Sequence, residues 1–150
     1  MPRHLTIMTY VIAMLLISTG GFIYLCYRPL SLRIFEWTGL SASTQWLAAF
    51  RSASTTSMPE WVVYAFPDGL WACAYTICIG AIWDFSFSKC IPVALAIPIV
   101  GIMSELLQAI GQVQGVFDYA DLIAYIVGAI IGLVYIYMIN RKLNNIKKIV

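Results

Sequence analysis

Charged residues are scarce in this 150-residue chain, since Asp, Glu, Lys and Arg together make up 11% of it. Soluble domains carry about 25%. Hydrophobic residues make up 61% of the sequence, which is more than one small core can hide from water. A soluble globular domain is therefore excluded, and the composition predicts an integral membrane protein.

Other scarcities exclude whole classes of function. No basic tract is interleaved with aromatic residues, so nucleic acid is not an expected partner. The four cysteines lack the CxxC spacing of zinc and redox sites and are expected to be buried free thiols. The single histidine, His4, lies at the N-terminus, and Ser104 has no partnered base, so a hydrolytic triad is not predicted. We expect no cofactor and no metal site.

Four apolar runs are long enough to cross the hydrocarbon of a bilayer, which takes about 20 helical residues. They cover about 5–27, 61–83, 91–110 and 118–139. The first run does not end in the small residues of a signal-peptide cleavage site, so we expect it to remain as a helix. The prediction is a single membrane domain over 1–150, folded as an all-α bundle of about four transmembrane helices.

The stretch of about 29–60 differs from the runs on either side, because charged residues and tryptophans alternate there with apolar ones. Such a pattern is typical of an amphipathic external segment in the lipid headgroup region, and a plain surface loop is the alternative. The second run contains Pro67-Asp68-Gly69. Proline in a membrane helix frees backbone groups, so we predict that this helix is kinked or briefly unwound.

Positive charges flanking the runs predict the orientation, because Lys and Arg accumulate on the cytoplasmic side. With both termini inside, the cytoplasmic segments hold Arg3, Lys89, Arg141, Lys142, Lys147 and Lys148. The external segments then hold Arg28, Arg33 and Arg51. We therefore expect a protein integral to the cytoplasmic (inner) membrane, with the N- and C-termini in the cytoplasm.

Several polar residues lie inside or beside the apolar runs. A charged side chain at mid-bilayer costs about 2.5–3.5 kcal/mol on insertion scales, so each needs a partner or a water-filled recess. Because consecutive spans alternate in direction, the start of the second, the end of the third and the start of the fourth lie at one depth. The sequence predicts a ligand-binding pocket there, in the outer leaflet, formed by Asp68, Glu105, Gln108, Asp118, Asp121 and Tyr125.

The spacing within the third and fourth spans supports this convergence. Glu105 and Gln108 are three residues apart, and Asp118, Asp121 and Tyr125 follow at i, i+3 and i+7. Each set therefore lies on one face of its helix.

Two features of the fourth span also have structural interpretations. Gly128 and Gly132 form a GxxxG spacing, which predicts close packing against a neighbouring helix. Asp118 is also a candidate N-cap for the fourth helix, where the exposed amide groups favour an anion.

From Ser104 onward, about the last third of the chain resembles the VanZ-like membrane proteins. The pattern is Glu105-x-x-Gln108, then Asp118-x-x-Asp121-x-x-x-Tyr125-x-x-Gly128-x-x-x-Gly132. That family typically shows Glu-x-x-Gln late in one helix and Arg-x-x-Asp-x-x-Asp-x-x-x-Asn-x-x-Gly at the start of the next. Here Gly115 stands where the Arg is expected and Tyr125 where the Asn is expected. With that Arg absent, we expect Arg33 or Arg51 to supply the counter-charge.

The resemblance implies a bacterial cell-envelope protein whose relatives are linked to glycopeptide resistance without an agreed biochemical activity. We expect its pocket to bind a lipid headgroup, a cell-wall precursor or another polar ligand. One alternative is a membrane enzyme acting on a lipid-linked substrate, with Glu105 or Asp121 as general base. Another is a structural subunit, either in a homo-oligomer or with another membrane protein.

Overall fold

Among residues 3–40, 44–54 and 57–149, which this computed structural model describes, the chain forms helices and no strand. The helices are α1 (Arg3–Tyr27), α2 (Arg33–Trp37), α3 (Gln45–Ala53), α4 (Glu60–Tyr64), α5 (Phe66–Ile82), α6 (Phe87–Ala94), α7 (Ala96–Ala109) and α8 (Tyr119–Ile149). Four stretches are long and apolar enough to cross a membrane: Arg3–Tyr27, Glu60–Ile82, Phe87–Ala109 and Tyr119–Ile146. The predicted all-α membrane bundle is confirmed.

The second span is divided into α4 and α5 at Ala65, two residues before Pro67. Proline has no N–H to donate, and its ring collides with the carbonyl of residue i−4. The backbone amide of Asp68 bonds the Ala65 carbonyl at 3.1 Å, which is a tighter turn than the α-helical pattern. The carbonyl of Tyr64 consequently loses its α-helical donor. The interruption predicted around Pro67-Asp68-Gly69 is therefore present.

The third span is divided in the same way, into α6 and α7 at Leu95. Pro98 leaves the Ala94 carbonyl without its usual amide donor. The Thr76 hydroxyl of α5 lies 3.2 Å from that carbonyl, and 2.8 Å from the carbonyl of Ala72 in its own helix. A threonine has one O–H group to donate. The carbonyl that the proline frees therefore shares the Thr76 donor with the closer carbonyl of Ala72.

Helix α5 is the centre of the bundle and packs against both α1 and α8, while α7 packs against α8. Small residues allow these helices to pack closely. A Cβ added at Gly128 would collide with the backbone of Gly69, and one added at Gly132 would lie 2.6 Å from the Cβ of Thr76. The structure therefore places the GxxxG spacing of the fourth span against α5 of the same chain.

One side-chain hydrogen bond joins the first and last spans. The hydroxyls of Thr9 in α1 and Tyr135 in α8 are 2.7 Å apart. Thr9 also donates to the Leu5 carbonyl at 2.8 Å. Its hydroxyl is therefore satisfied within α1 as well as across the bundle.

Several boundaries differ from those predicted. The third span begins at Phe87 rather than near 91, so Lys89 lies inside the helix. A lysine close to the membrane surface can extend its ammonium group into water, so it does not end a helix. Helix α8 continues to Ile149, beyond the predicted end of the fourth span near 139. The added residues include Lys, Leu and Arg, which are good helix formers and continue the helix beyond the apolar part.

The segment between the first and second spans contains the short helices α2 and α3. The Leu47 side chain of α3 is fully buried, and the Phe50 ring meets Phe22 edge-on with centroids 5.1 Å apart. Arg51 donates to the carbonyls of Leu25 at 2.7 Å and Arg28 at 3.0 Å. These carbonyls belong to the C-terminal end of α1, which has no amide donors of its own there. The segment thus caps the first span.

Candidate functional site

One end of the bundle carries the carboxylates singled out in the sequence. The end of α1, the start of α4, the end of α7 and the start of α8 meet there, because consecutive spans run in opposite directions. We call this the acidic end. Its carboxylates are those of Glu60, Asp68, Glu105, Asp118 and Asp121.

The structure brings together polar groups from three different helices at the acidic end. Asp68 of α5 is close enough to Asp121 of α8 and Glu105 of α7 to interact with both electrostatically. Asp121 interacts in the same way with Glu105 and Asp118. The Tyr125 hydroxyl lies near the Asp68 carboxylate. Four of the predicted ligand-binding residues, Asp68, Glu105, Asp121 and Tyr125, thus form one cluster.

Glu105 is the most enclosed carboxylate of the cluster, with 7% of its surface exposed. Its Oε2 accepts a hydrogen bond of 3.2 Å from the backbone amide of Asp118. Glu105 therefore connects the end of α7 to the start of α8 across the intervening loop.

Asp118 itself caps α8. Its Oδ1 accepts a hydrogen bond of 2.7 Å from the backbone amide of Ala120, and the side chain is exposed. This is the N-cap interaction that the sequence left as the alternative for Asp118. A cap uses one carboxylate oxygen, so the other is available to a ligand.

The ring of Tyr125 occupies space that Gly101 of α7 provides. A Cβ added at Gly101 would lie 2.5 Å from Cε1 of that ring. Gly101 precedes Glu105 by one helical turn, so a glycine there sets the position of the tyrosine hydroxyl relative to Asp68. Sequence reasoning did not identify Gly101, although its i−4 spacing from Glu105 was visible.

Gln108 points to the loop between α7 and α8. A Cβ added at Gly115 would lie 2.7 Å from Cδ and Oε1 of Gln108. Gly115 has a φ of +145°, a conformation that favours glycine. An arginine, which the family resemblance expects at this position, would be strained there and would collide with Gln108. The contacts described here place Gln108 against Gly115, so its predicted role in the pocket stays a prediction.

The structure adds Arg28 to the expected counter-charges, which were Arg33 and Arg51. Arg51 uses its guanidinium to cap α1, and the side chain of Arg33 lies outside the described part of the structure. Among the side chains that the structure describes, the guanidinium of Arg28 interacts electrostatically with Asp68 and Asp121. Arg28 directly follows the first apolar run, so its place in the sequence already put it at the acidic end and could have identified it as a counter-charge.

Arg28 is held by aromatic rings. Its guanidinium carbon lies 5.2 Å from the ring centroid of Tyr24 and 4.7 Å from that of Tyr64. Its Nη2 also donates to the Tyr64 carbonyl at 3.4 Å, which is the carbonyl freed by the interruption between α4 and α5. The proline-induced break thus gives the arginine its backbone acceptor.

Two polar atoms of the acidic end have no hydrogen-bond partner among the described residues, although both are buried. They are Nε of Arg28 and Oδ1 of Asp121. Most buried polar groups in proteins are paired, so such atoms mark places where a structure has unused hydrogen-bonding capacity. Here both belong to the charged groups of the cluster.

A recess of about 480 Å³ opens at the acidic end, a volume typical of small-molecule sites. Its wall consists of Glu60, Trp61, Tyr64, Asp118 and Ala120. Tyr64 and Asp68 are four residues apart, on adjacent turns of the second span. The recess therefore lies beside the carboxylate cluster.

Within the described ranges, no group of three or more His, Cys, Asp or Glu side chains is arranged to hold a metal ion. Comparisons of the chain with models of known protein families, with curated proteins and with solved structures find no match.

Proposed function

We propose that this chain is a VanZ-like integral membrane protein of the bacterial cell envelope whose acidic end binds a polar ligand. Lipid headgroups and cell-wall precursors are the ligand classes that suit a site at this depth. The observation that carries the proposal is the gathering of Asp68, Glu105 and Asp121 from three separate helices, beside an open recess.

The cost of these carboxylates supports a binding role. Each ionised carboxylate inside a span is unfavourable, and such residues in membrane proteins mark substrate paths or binding sites by default. Within the cluster, the carboxylates of Asp68 and Asp121 interact electrostatically with the Arg28 guanidinium, and Glu105 adds a third carboxylate beside them. A bundle needing only stability would use apolar residues at these positions. A ligand that supplies positive charge or hydrogen-bond donors would complete the arrangement.

We further propose that both termini lie in the cytoplasm, which puts the acidic end in the outer leaflet of the cytoplasmic membrane. Six Lys and Arg residues then flank the spans on the inside and three on the outside. This orientation exposes the recess to envelope ligands.

The alternative of a structural subunit loses one of its supports. Gly128 and Gly132 were candidates for packing against a partner protein, but they pack against α5 of the same chain. They consequently give no reason to infer a partner helix.

Binding in nanodiscs tests the proposal. Purified protein is presented with bilayer phospholipids and with the lipid-linked peptidoglycan precursor, and bound lipid is measured by native mass spectrometry. Glu105→Gln and Asp121→Asn remove charge while keeping side-chain shape, and both are expected to lose bound ligand. Asp84→Asn is the matched control, because Asp84 is exposed in the turn between α5 and α6, at the opposite end.

Unchanged binding in both cluster variants would contradict the proposed role. Release of a cleaved or transferred product from either lipid would instead show turnover, and would support the enzyme alternative.

A further inference from the structure

The recess at the acidic end combines negative charge with aromatic surface. Glu60 and Asp118 contribute carboxylates, while Trp61 and Tyr64 contribute rings, and Ala120 completes the wall. Ammonium groups bind favourably to ring faces and to carboxylates, so this wall is suited to an organic cation. A primary ammonium suits it best, because its N–H groups can donate to two carboxylates.

Arg28 adds an anion-binding group next to Tyr64, one of the recess residues. Its guanidinium lies 4.7 Å from the ring centroid of Tyr64, which itself lines the recess. A guanidinium has five N–H donors. Toward the described residues, the terminal nitrogens of Arg28 make one hydrogen bond, the long one of 3.4 Å from Nη2 to the Tyr64 carbonyl. Guanidinium groups bind phosphate with high geometric specificity.

The two subsites are therefore adjacent and opposite in charge. Tyr64 is common to both subsites, because it lines the recess and its ring contacts the Arg28 guanidinium. A ligand that fits both has a primary amine and a phosphate joined by a short linker. Trp61 marks the depth of the site, because tryptophan is enriched at membrane interfaces, where phospholipid headgroups lie.

We propose that the acidic end selects the phosphoethanolamine headgroup of a phospholipid, with the amine in the recess and the phosphate at Arg28. This inference rests on the proposed function and names the ligand class for the same site. Phosphatidylcholine has the phosphate but no N–H donor on its cation. Phosphatidylglycerol has no cation, and its negative charge is repelled by Glu60 and Asp118.

The test uses delipidated full-length protein in detergent, titrated with phosphatidylethanolamine, phosphatidylcholine and phosphatidylglycerol of identical acyl chains. Native mass spectrometry counts the bound lipid. We expect phosphatidylethanolamine to bind about tenfold more tightly than the other two, the effect of one net hydrogen bond between charged groups. Equal binding of all three lipids would overturn the inference.

Variants assign the selectivity to residues. Combining Glu60→Gln with Asp118→Asn should abolish the preference for phosphatidylethanolamine over phosphatidylcholine, and Asn keeps the N-cap of α8. Arg28→Gln should weaken the binding of phosphatidylethanolamine and phosphatidylcholine equally, since both carry the phosphate. Glu36→Gln, at an exposed carboxylate of α2 outside the recess, is the matched control. A preference that survives the double variant would show that the recess is not the amine site.

Further measurements distinguish a membrane lipid from soluble phosphoethanolamine as the ligand, and distinguish failure of this inference from failure of the proposed function. Soluble phosphoethanolamine that binds as tightly as the lipid would overturn the assignment to a membrane lipid. If the three phospholipids bind alike while Glu105→Gln and Asp121→Asn still reduce binding of the peptidoglycan precursor, this inference fails and the proposed function stands. If neither selectivity nor any effect of the cluster variants is found, both fail.

Discussion

Replacing Gly128 with alanine tests how closely α8 and α5 pack. The added Cβ would collide with the Gly69 backbone, which cannot rotate away as a side chain can, so the helices must separate. Overpacking a core costs about 1–3 kcal/mol. Alanine returns at most about 1 kcal/mol through its higher helix propensity. We expect a net loss of about 2 kcal/mol, a factor of about 30 in the folding equilibrium.

Steric trapping in bicelles measures the free energy of unfolding of such variants. Gly21→Ala is the matched control, because nothing lies within 4 Å of a Cβ added at that position in α1. It should be neutral or slightly stabilising. A Gly128→Ala protein as stable as Gly21→Ala would refute the close contact between Gly128 and Gly69, and with it the packing on which the cluster geometry depends.

Two further predictions concern the helix interruption and the orientation. Thr76→Val should lower the free energy of unfolding by about 1 kcal/mol, because the Ala94 carbonyl freed by Pro98 loses the donor that it shares with Ala72. Thr76→Ser should stay near wild type, and equal stability of the two variants would contradict this role. Because the C-terminus is proposed to lie in the cytoplasm, alkaline phosphatase fused after residue 150 should be inactive. Green fluorescent protein fused at the same place should be fluorescent. The opposite pair of results would contradict the proposed topology.

The sequence was sufficient for the parts of the fold that depend on local chemistry. The length of the apolar runs predicted four spans, and the missing amide of Pro67 predicted the interruption of the second. The start of the third span was misplaced because Lys89 was treated as a boundary, although a lysine near the interface can remain helical.

Less of the candidate site could be predicted from the sequence. Helical spacing indicated which carboxylates share a face, since that requires only the periodicity of a helix. Arg28 was not predicted as a counter-charge, because the choice among Arg28, Arg33 and Arg51 depends on how the segment between the first two spans folds onto α1. Gln108 was grouped with the carboxylates, but its contact with Gly115 depends on a loop conformation that helical periodicity does not describe.

The bond between Thr9 and Tyr135 has a consequence for biosynthesis. These residues are 126 positions apart, so the bond must wait until the last span has been made and inserted. Until then the Thr9 hydroxyl has the Leu5 carbonyl as its acceptor. Helix α1 can therefore remain in the bilayer without leaving this hydroxyl unpaired. The final span then packs onto a helix that was already stable in the bilayer. Assembly of the bundle can therefore follow the order of synthesis.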